Sequence, residues 1–290
     1  MLPWEGLIQC LISGILMGGV YILIGVGLAL IVGVMDVVNF AQGELLMIGM
    51  YTCYWLILLW RTNFVLVLIA AGGILFLIGM GMYRFFLEPL IEKGHMTQAI
   101  LTFGLVLVFQ STVQLLWSAR YRSLVLVMGI SPIWLGPVSL PSQRVVAFVV
   151  ALFLTGIMYI FLKKTFIGQA IQATAQNKLA AQLMGVNVQN IFMISFSIGA
   201  AFAGIAGALL ATYYPIFPTA GFDLLILTIT VITLGGMGSY EGSVIAGLLI
   251  GIYESLFAFY VSQAYRMVAI FVLFLFLLLF MPKGLMGERT

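Results

Sequence analysis

The fold is decided by LIQCLISGILMGGVYILIGVGLALIV, residues 7–32, a stretch that contains no charged side chain. As an α-helix, a run of this length exceeds the roughly 20 residues that cross the ~30 Å hydrocarbon core of a bilayer. A helix also satisfies its own backbone hydrogen bonds, as a segment in lipid must. The residues MLPWEG before the run contain no Lys or Arg, so a cleaved signal peptide is not expected. The run therefore predicts a retained membrane-spanning helix.

The rest of the chain has the same character. Of its 290 residues, 63% are hydrophobic and 7% are charged, with a mean hydropathy of +1.21, whereas a soluble domain has about 25% charged residues. Further apolar runs lie at 44–60, 63–86, 97–117, 144–163, 191–213, 222–236, 242–261 and 265–281. The runs are continuous, which favours helices over strands that alternate between lipid and lumen. We therefore predict an all-α polytopic transmembrane helix bundle of about eight to ten membrane segments, in a single domain over 1–290.

Two details of these runs predict local features. The 222–236 run is short and leads into GGMGSYEG, which is typical of a half-helix or re-entrant element. Small residues recur four positions apart at Gly14 and Gly18, and again at Gly247 and Gly251. On a helix this spacing forms a flat stripe that allows another backbone to approach closely, so we expect a tightly packed bundle.

Basic residues predict the orientation. If 163–190 is cytoplasmic, the inner side carries Lys163, Lys164, Lys178, Arg84, Lys93, Lys283 and Arg289, and the outer side carries Arg61, Arg120, Arg122, Arg144 and Arg266. The excess on the inner side is small, but it follows the positive-inside rule and favours an N-out, C-in topology. The net charge of +3 comes from segment ends and not from a basic patch, so no nucleic-acid partner is expected.

Polar side chains interrupt the start of the second run, in NFAQGE at 39–44. An ionisable group at membrane depth costs about 2.5–3.5 kcal/mol on insertion scales, so it normally faces a cavity or a polar partner. Asn39, Gln42 and Glu44 therefore form a candidate substrate pathway or gate. The alternative is a helix N-terminus at the membrane interface, with Asn39 as its cap and Glu44 in its first turn.

Four further polar residues in apolar runs are pathway candidates. Thr102 and Gln110 are eight residues apart, near one face of a helix, and either line the pathway or hydrogen-bond a neighbouring helix. Asp223 begins the short run, where it either caps a helix or contacts a substrate ammonium group. Glu254 lies well inside its run, so it requires a buried partner or a polar cavity.

The longest polar break on the predicted inner side is KKTFIGQAIQATAQNKLAAQLMGVNVQN, residues 163–190. Its apolar residues recur at four-residue steps, which predicts one amphipathic helix over 168–184 that stops near Gly185. Glutamines, Gln169 among them, occupy other positions of this helix. Such a helix either lies on its own bundle or docks a soluble partner, and the composition favours neither.

Within this segment, Ala180, Ala181 and Gly185 form A-A-x-x-x-G, which resembles the E-A-A-x-x-x-G loop of bacterial ABC importer permeases. Four other strings are similar, in the same order, to those of the branched-chain amino acid permeases of the LivH type: NFAQGE at 39–44, TFGLVLVFQ at 102–110, GGMGSYEGSVIAGLLIGIYES at 235–255 and MPKGL at 281–285. The resemblance covers nearly the whole chain. Two positions depart from it: Gln42 stands where the family commonly has histidine, and Leu179 stands where the loop has its acidic residue.

The resemblance implies a pore-forming subunit of an ATP-driven importer for branched-chain or other neutral amino acids, in the bacterial inner membrane. It implies a second homologous permease, two cytoplasmic ATPase subunits that bind ATP and Mg²⁺, and an extracytoplasmic substrate-binding protein, with 163–190 as the cytoplasmic coupling loop. The chain itself contains no G-x-x-x-x-G-K-[ST], so we expect neither ATP hydrolysis nor a cofactor in this subunit. Urea and short-amide permeases share the signature strings, so these solutes are the alternative cargo.

Other classes of protein fit the residues less well. A passive channel for a small neutral solute would also have sparse charges, but it would not need a docking helix. A secondary transporter would need ion-coupling carboxylates in its core, for which Glu254 and Asp223 are the candidates. An enzyme is not expected, because the chain has a single histidine and shows no catalytic or metal-ligand pattern.

Overall fold

The computed structural model describes residues 3–60, 63–124, 133–135, 138–281 and 283–287. The helices are α1 (Pro3–Met35), α2 (Gln42–Trp60), α3 (Phe64–Met82), α4 (His95–Trp117), α5 (Ser142–Lys164), α6 (Phe166–Gln176), α7 (Lys178–Leu183), α8 (Val188–Leu210), α9 (Ala220–Gly235), α10 (Tyr240–Tyr260) and α11 (Arg266–Phe280). A π-helical turn (Tyr83–Leu87) and two 3₁₀ turns (Glu88–Lys93 and Gln263–Tyr265) adjoin them. The strands β1 (Ile133–Leu135) and β2 (Val138–Leu140) pair antiparallel. The predicted helix bundle is confirmed, with one short hairpin added.

Eight of the described helical stretches, those containing α1 to α5, α8, α10 and α11, are long and apolar enough to cross a membrane. α9 is apolar but has only 16 residues. At 1.5 Å per residue it is about 24 Å long, which is less than the ~30 Å hydrocarbon core. The short element predicted at 222–236 is therefore confirmed as a short helix.

The central helix of the bundle is α1. It packs along α10, α8 and α5, and α8 in turn packs against α2 and α3. Gly18 of α1 lies against Gly247 and Gly251 of α10 so closely that a methyl group at Gly251 would meet the Gly18 backbone at 2.6 Å. The four-residue spacing of small side chains thus marks a true contact, at which two helix backbones touch.

The bundle has two distinct ends. At the coupling end, which holds α6 and α7, Lys178 Nζ donates a hydrogen bond to the Met35 carbonyl oxygen at 3.3 Å, and residues 283–287 pair with the last turn of α9. At the hairpin end, which holds β1 and β2, Gln9 near the start of α1 donates to Ser139 Oγ at 3.2 Å. The start of α1 and the last described residues therefore lie at opposite ends.

The prediction of one helix over 168–184 is wrong. Asn177 separates α6 from α7, because its backbone is extended and its side-chain oxygen accepts a hydrogen bond from the Ala180 N–H at 2.9 Å. Asn competes with a continuing helix by capping a new one. The predicted stop near Gly185 is confirmed: this residue has φ +86°, a conformation that favours glycine.

Candidate functional site

The linker between α1 and α2, residues 36–41, turns back into the bundle. Asn39 and Ala41 are fully buried. At the start of α2, Gln42 Nε2 donates to the carbonyl oxygen of Gly199, in the middle of α8, at 3.2 Å. α2 therefore begins inside the bundle, with Glu44 in its first turn as predicted; its depth relative to the membrane interface stays a prediction.

Asn39 organises this turn through local hydrogen bonds. Its side-chain oxygen accepts from the Ala41 N–H at 3.1 Å, and its amide donates to Gln42 Oε1 at 3.2 Å. Asn39 thus forms an Asx-type turn directly ahead of α2, and its role as the cap of this helix stays a prediction. The Thr102 hydroxyl of α4 reaches the same turn, where it accepts from the Phe40 N–H at 3.4 Å. We refer to Asn39, Gln42, Glu44 and Thr102 as the fold-back cluster.

Glu44 is the carboxylate of the fold-back cluster. It lies in the first turn of α2, is 1% exposed, and has no hydrogen-bond partner for either carboxylate oxygen among the described residues. Its carboxyl group packs against Gly221 in the first turn of α9, so closely that a methyl group at Gly221 would overlap it. The N-terminal end of a helix carries partial positive charge, because its first N–H groups lack intrahelical partners. Glu44 is therefore adjacent to the positive end of α9.

Two further pathway candidates, Gln110 and Asp223, are only half-buried. Gln110 lies farther along α4 than Thr102, and Asp223 lies in the first turn of α9. The N-cap position of α9 is Thr219, so the prediction that Asp223 caps this helix is wrong. Its carboxylate instead complements the positive helix end from within the first turn.

Glu254 belongs to a second polar group, near the hairpin end. It is 3% exposed and ion-paired through Oε1 with Arg266, the first residue of α11. Tyr21 of α1 donates a hydrogen bond to Glu254 Oε2 at 2.5 Å, and Arg266 Nη2 donates to the Tyr21 hydroxyl at 3.3 Å. Glu254 therefore has the buried partner that its depth requires, and the network joins α1, α10 and α11.

The same ion pair lines a cavity of about 630 Å³, which we refer to as the arginine cavity. Its wall also contains Arg144 from the first turn of α5, and Tyr213 and Tyr214 from the segment after α8. The Arg144 guanidinium lies over the Tyr213 ring, 5.5 Å from its centroid, and that of Arg266 lies over the Tyr214 ring at 5.2 Å. The cavity thus combines two guanidinium groups, one carboxylate and aromatic rings beside the central helix.

Sequence reasoning missed most of this cavity. It treats Arg144 and Arg266 only as outer loop charges, although each lies in the first turn of a helix. That position was the available signal, since an arginine at the start of a membrane helix can direct its long side chain along the bundle. Nothing in the sequence distinguishes Tyr21 and Tyr213 from the other tyrosines, of which the chain has 12 in all.

The coupling end presents apolar side chains outward. Leu183 and Met184 are 81% and 84% exposed, and Leu179 is also exposed, whereas Ala181 is buried. The other predicted coupling residues, Gln169, Ala180 and Gly185, lie on the exposed surface. Through the hydrogen bond of Lys178 to the end of α1, this surface connects directly to the central helix.

The described part of the chain offers no metal site, because it contains no group of three or more His, Cys, Asp and Glu residues that could hold an ion. Asp36 and His95 approach to 4.0 Å at the coupling end, with both side chains exposed. Two exposed ligands alone do not complete the coordination shell that protein metal sites provide.

Comparison with known proteins gives matches along nearly the whole chain. Residues 10–279 match the family described as branched-chain amino acid transport system / permease component. The chain is 30% identical over 296 residues to the high-affinity branched-chain amino acid transport system permease protein LivH of Escherichia coli K12, with 97% of this chain and 96% of that protein covered. It is 28% identical over 294 residues to the permease protein BraD of Pseudomonas aeruginosa, with the same coverage. The permease protein LivM of Escherichia coli K12 is 27% identical over 152 residues, which cover 50% of this chain and 35% of that protein.

Proposed function

Because the chain belongs to the branched-chain amino acid permease family and is a transport-system permease subunit, we propose that it works in an ATP-driven importer for branched-chain or other neutral amino acids. In this proposal it forms the passage through the bacterial inner membrane, with its N-terminus outside and its C-terminus inside. A second homologous permease completes the passage, two cytoplasmic ATPase subunits bind ATP and Mg²⁺, and an extracytoplasmic binding protein delivers the substrate. This chain contributes no ATPase site of its own.

The observation that carries the proposal is the surface of α6 and α7. Leu179, Leu183 and Met184 expose apolar side chains within one short segment at the coupling end of the bundle. Exposed apolar patches of this kind are typical of protein interaction sites. A partner that moves this segment would also move the end of α1, because Lys178 hydrogen-bonds the Met35 carbonyl oxygen.

The proposed pathway runs from the arginine cavity towards the coupling end. The fold-back cluster acts as its gate, since Asn39, Gln42 and Thr102 hold a linker that lies inside the bundle instead of on its surface. Irregular backbone at membrane depth is tolerated where it is buried in protein or lines a cavity, and transporters use such segments at their substrate paths. Gln110, Asp223 and Glu254 are the other pathway residues in this proposal.

Affinity recovery of the tagged protein from native membranes, followed by mass spectrometry, tests the importer assignment. We expect stoichiometric recovery of a subunit with a Walker-type ATPase sequence and of a second permease. The double substitution L183S/M184S should reduce recovery of the ATPase at least severalfold, because it removes the exposed apolar contact. Q172S, a change at an exposed polar position of α6, is the matched control and should not. A protein recovered only with itself would contradict the assignment and favour a passive channel.

A further inference from the structure

The arginine cavity contains two arginines and a single carboxylate, so its charged lining carries an excess of one positive charge. Its charged lining residues in the described part of the chain are Arg144, Arg266 and Glu254. Glu254 pairs with Arg266 and also interacts electrostatically with Arg144, without forming an ion pair with it. The nearby Asp223 interacts electrostatically with Arg266 as well. Among the described residues Arg144 has no carboxylate within 4.0 Å, and its buried Nε atom has no hydrogen-bond partner. Arg144 is therefore available to an anion that enters the cavity.

The surroundings of Arg144 also orient its guanidinium group. Its central carbon lies over the Tyr213 ring, 5.5 Å from the centroid, and the residue lines the cavity. A planar guanidinium presents parallel N–H donors that match the two oxygens of a carboxylate. The chemistry of this group thus favours a carboxylate over a spherical anion or an uncharged amide.

We propose that the arginine cavity is a substrate-recognition site, in which Arg144 binds the α-carboxylate group of the incoming amino acid. The inference rests on the proposed function and specifies where the permease itself contacts its cargo. Glu254, although it is paired with Arg266, keeps acceptor capacity for the ammonium group of the substrate. Arg266 and Tyr21 occupy two of the roughly four lone-pair positions of its carboxylate, so it can accept a further hydrogen bond from the α-ammonium group.

The remaining wall of the cavity suits an aliphatic side chain. Met17, Leu210 and Phe259 contribute apolar surface beside the charged groups. The volume of about 630 Å³ lies within the range of roughly 300–1,000 Å³ that is usual for small-molecule sites. The cavity is also near the hairpin end, opposite the coupling segment, where an external binding protein would release its cargo.

Equilibrium binding to the purified complex, without the binding protein, tests this site. The probe is radiolabelled L-leucine, and the competitors are leucinamide, which lacks the carboxylate, and 4-methylpentanoate, which lacks the ammonium group. We expect R144Q to weaken leucine binding about tenfold or more and R144K to restore part of it, because Lys keeps the charge but loses the paired donors. Leucinamide should compete poorly with leucine on the wild type, and its own affinity should not change in R144Q.

The matched control is R120Q, which removes an exposed arginine at the same end but outside the cavity and should bind leucine as the wild type does. Equal leucine affinity in R144Q and wild type would overturn the proposal. An equal loss of affinity for leucine and for leucinamide in R144Q would also overturn it, because it would indicate a purely structural role of Arg144. The importer assignment is judged separately, by ATPase recovery from the same membranes. If R144Q weakens the binding of leucine but not of leucinamide and no ATPase is recovered, the importer assignment is contradicted and the site is supported. If the ATPase is recovered and R144Q has no such selective effect, only the site is contradicted.

Discussion

Glu254 and Glu44 are both almost completely buried, yet the bundle accommodates them in different ways. Glu254 is surrounded by donors, since Arg266 neutralises it and Tyr21 hydrogen-bonds its second oxygen. Glu44 has no hydrogen-bond donor among the described residues and instead packs against Gly221 at the N-terminal end of α9. A buried acid in this bundle therefore either pairs with a specific cation at a cavity or packs closely against a helix end. The two arrangements predict different responses to substitution.

The largest effect is expected at Glu254. In Glu254→Gln the Arg266 guanidinium would remain buried without its counter-charge, and breaking a buried ion pair in this way costs about 3–5 kcal/mol. Denaturant unfolding of the purified protein in detergent measures the loss. Adding Arg266→Gln to the same chain should recover part of it, because both charges are then absent. A double variant no more stable than Glu254→Gln would contradict the ion-pair interpretation.

The next largest effect is expected at Tyr21. Tyr21→Phe removes the phenolic donor to Glu254 and should lower the unfolding free energy by about 1.5–3 kcal/mol, as for other hydrogen bonds to charged groups. Tyr51→Phe is the control in the same assay, because Tyr51 is fully buried but its hydroxyl has no partner among the described residues. Equal losses in the two variants would show that the Tyr21 hydrogen bond contributes nothing specific.

The packing of Glu44 against α9 is tested by Gly221→Ala. Alanine is normally favoured over glycine in a helix, but here its methyl group would overlap the Glu44 carboxyl group, and overpacking costs about 1–3 kcal/mol. Shortening the opposing side chain in the double variant Gly221→Ala/Glu44→Ala should relieve this strain. Gly104→Ala, with no atom within 4 Å of the added methyl group, should be tolerated. If Gly221→Ala is as stable as Gly104→Ala, the contact between Glu44 and α9 is not tight.

The smallest effect is expected for Glu44→Gln. Because no ion pair or hydrogen bond to the carboxylate exists among the described residues, the nearly isosteric amide should change the unfolding free energy by less than about 1 kcal/mol. This variant is the direct counterpart of Glu254→Gln and should be measured beside it. A loss as large as that of Glu254→Gln would remove the distinction between the two carboxylates.

The sequence was informative wherever lipid imposes a uniform rule. The charge-free run at 7–32 predicts α1, and the short run at 222–236 predicts α9. The glycines at four-residue spacing predict close helix packing, which the structure shows between α1 and α10. Each inference depends only on neighbours along one helix. The same reasoning predicts that Glu254 needs a partner, because the cost of burying its charge does not depend on the fold.

Other features depend on contacts between distant segments. Nothing local identifies Arg266 and Tyr21 as the partners of Glu254, or brings Arg144 to the same cavity, since these residues lie on four different helices. A polar turn at the membrane interface and a polar turn folded into the bundle have the same amino-acid composition. The residues 36–41 therefore could not predict that Asn39 is buried. The role of Glu44 and of the fold-back cluster as a gate remains a prediction.

The importer assignment is tested most directly by uptake of radiolabelled leucine into proteoliposomes that contain the complete complex, with the binding protein outside. We predict that leucine accumulates above its external concentration only when ATP is enclosed with the ATPase subunits, and that L183S/M184S abolishes this accumulation while leucine binding to the arginine cavity persists. Entry at the same rate with and without ATP, ending at equal concentrations on both sides, would contradict the assignment.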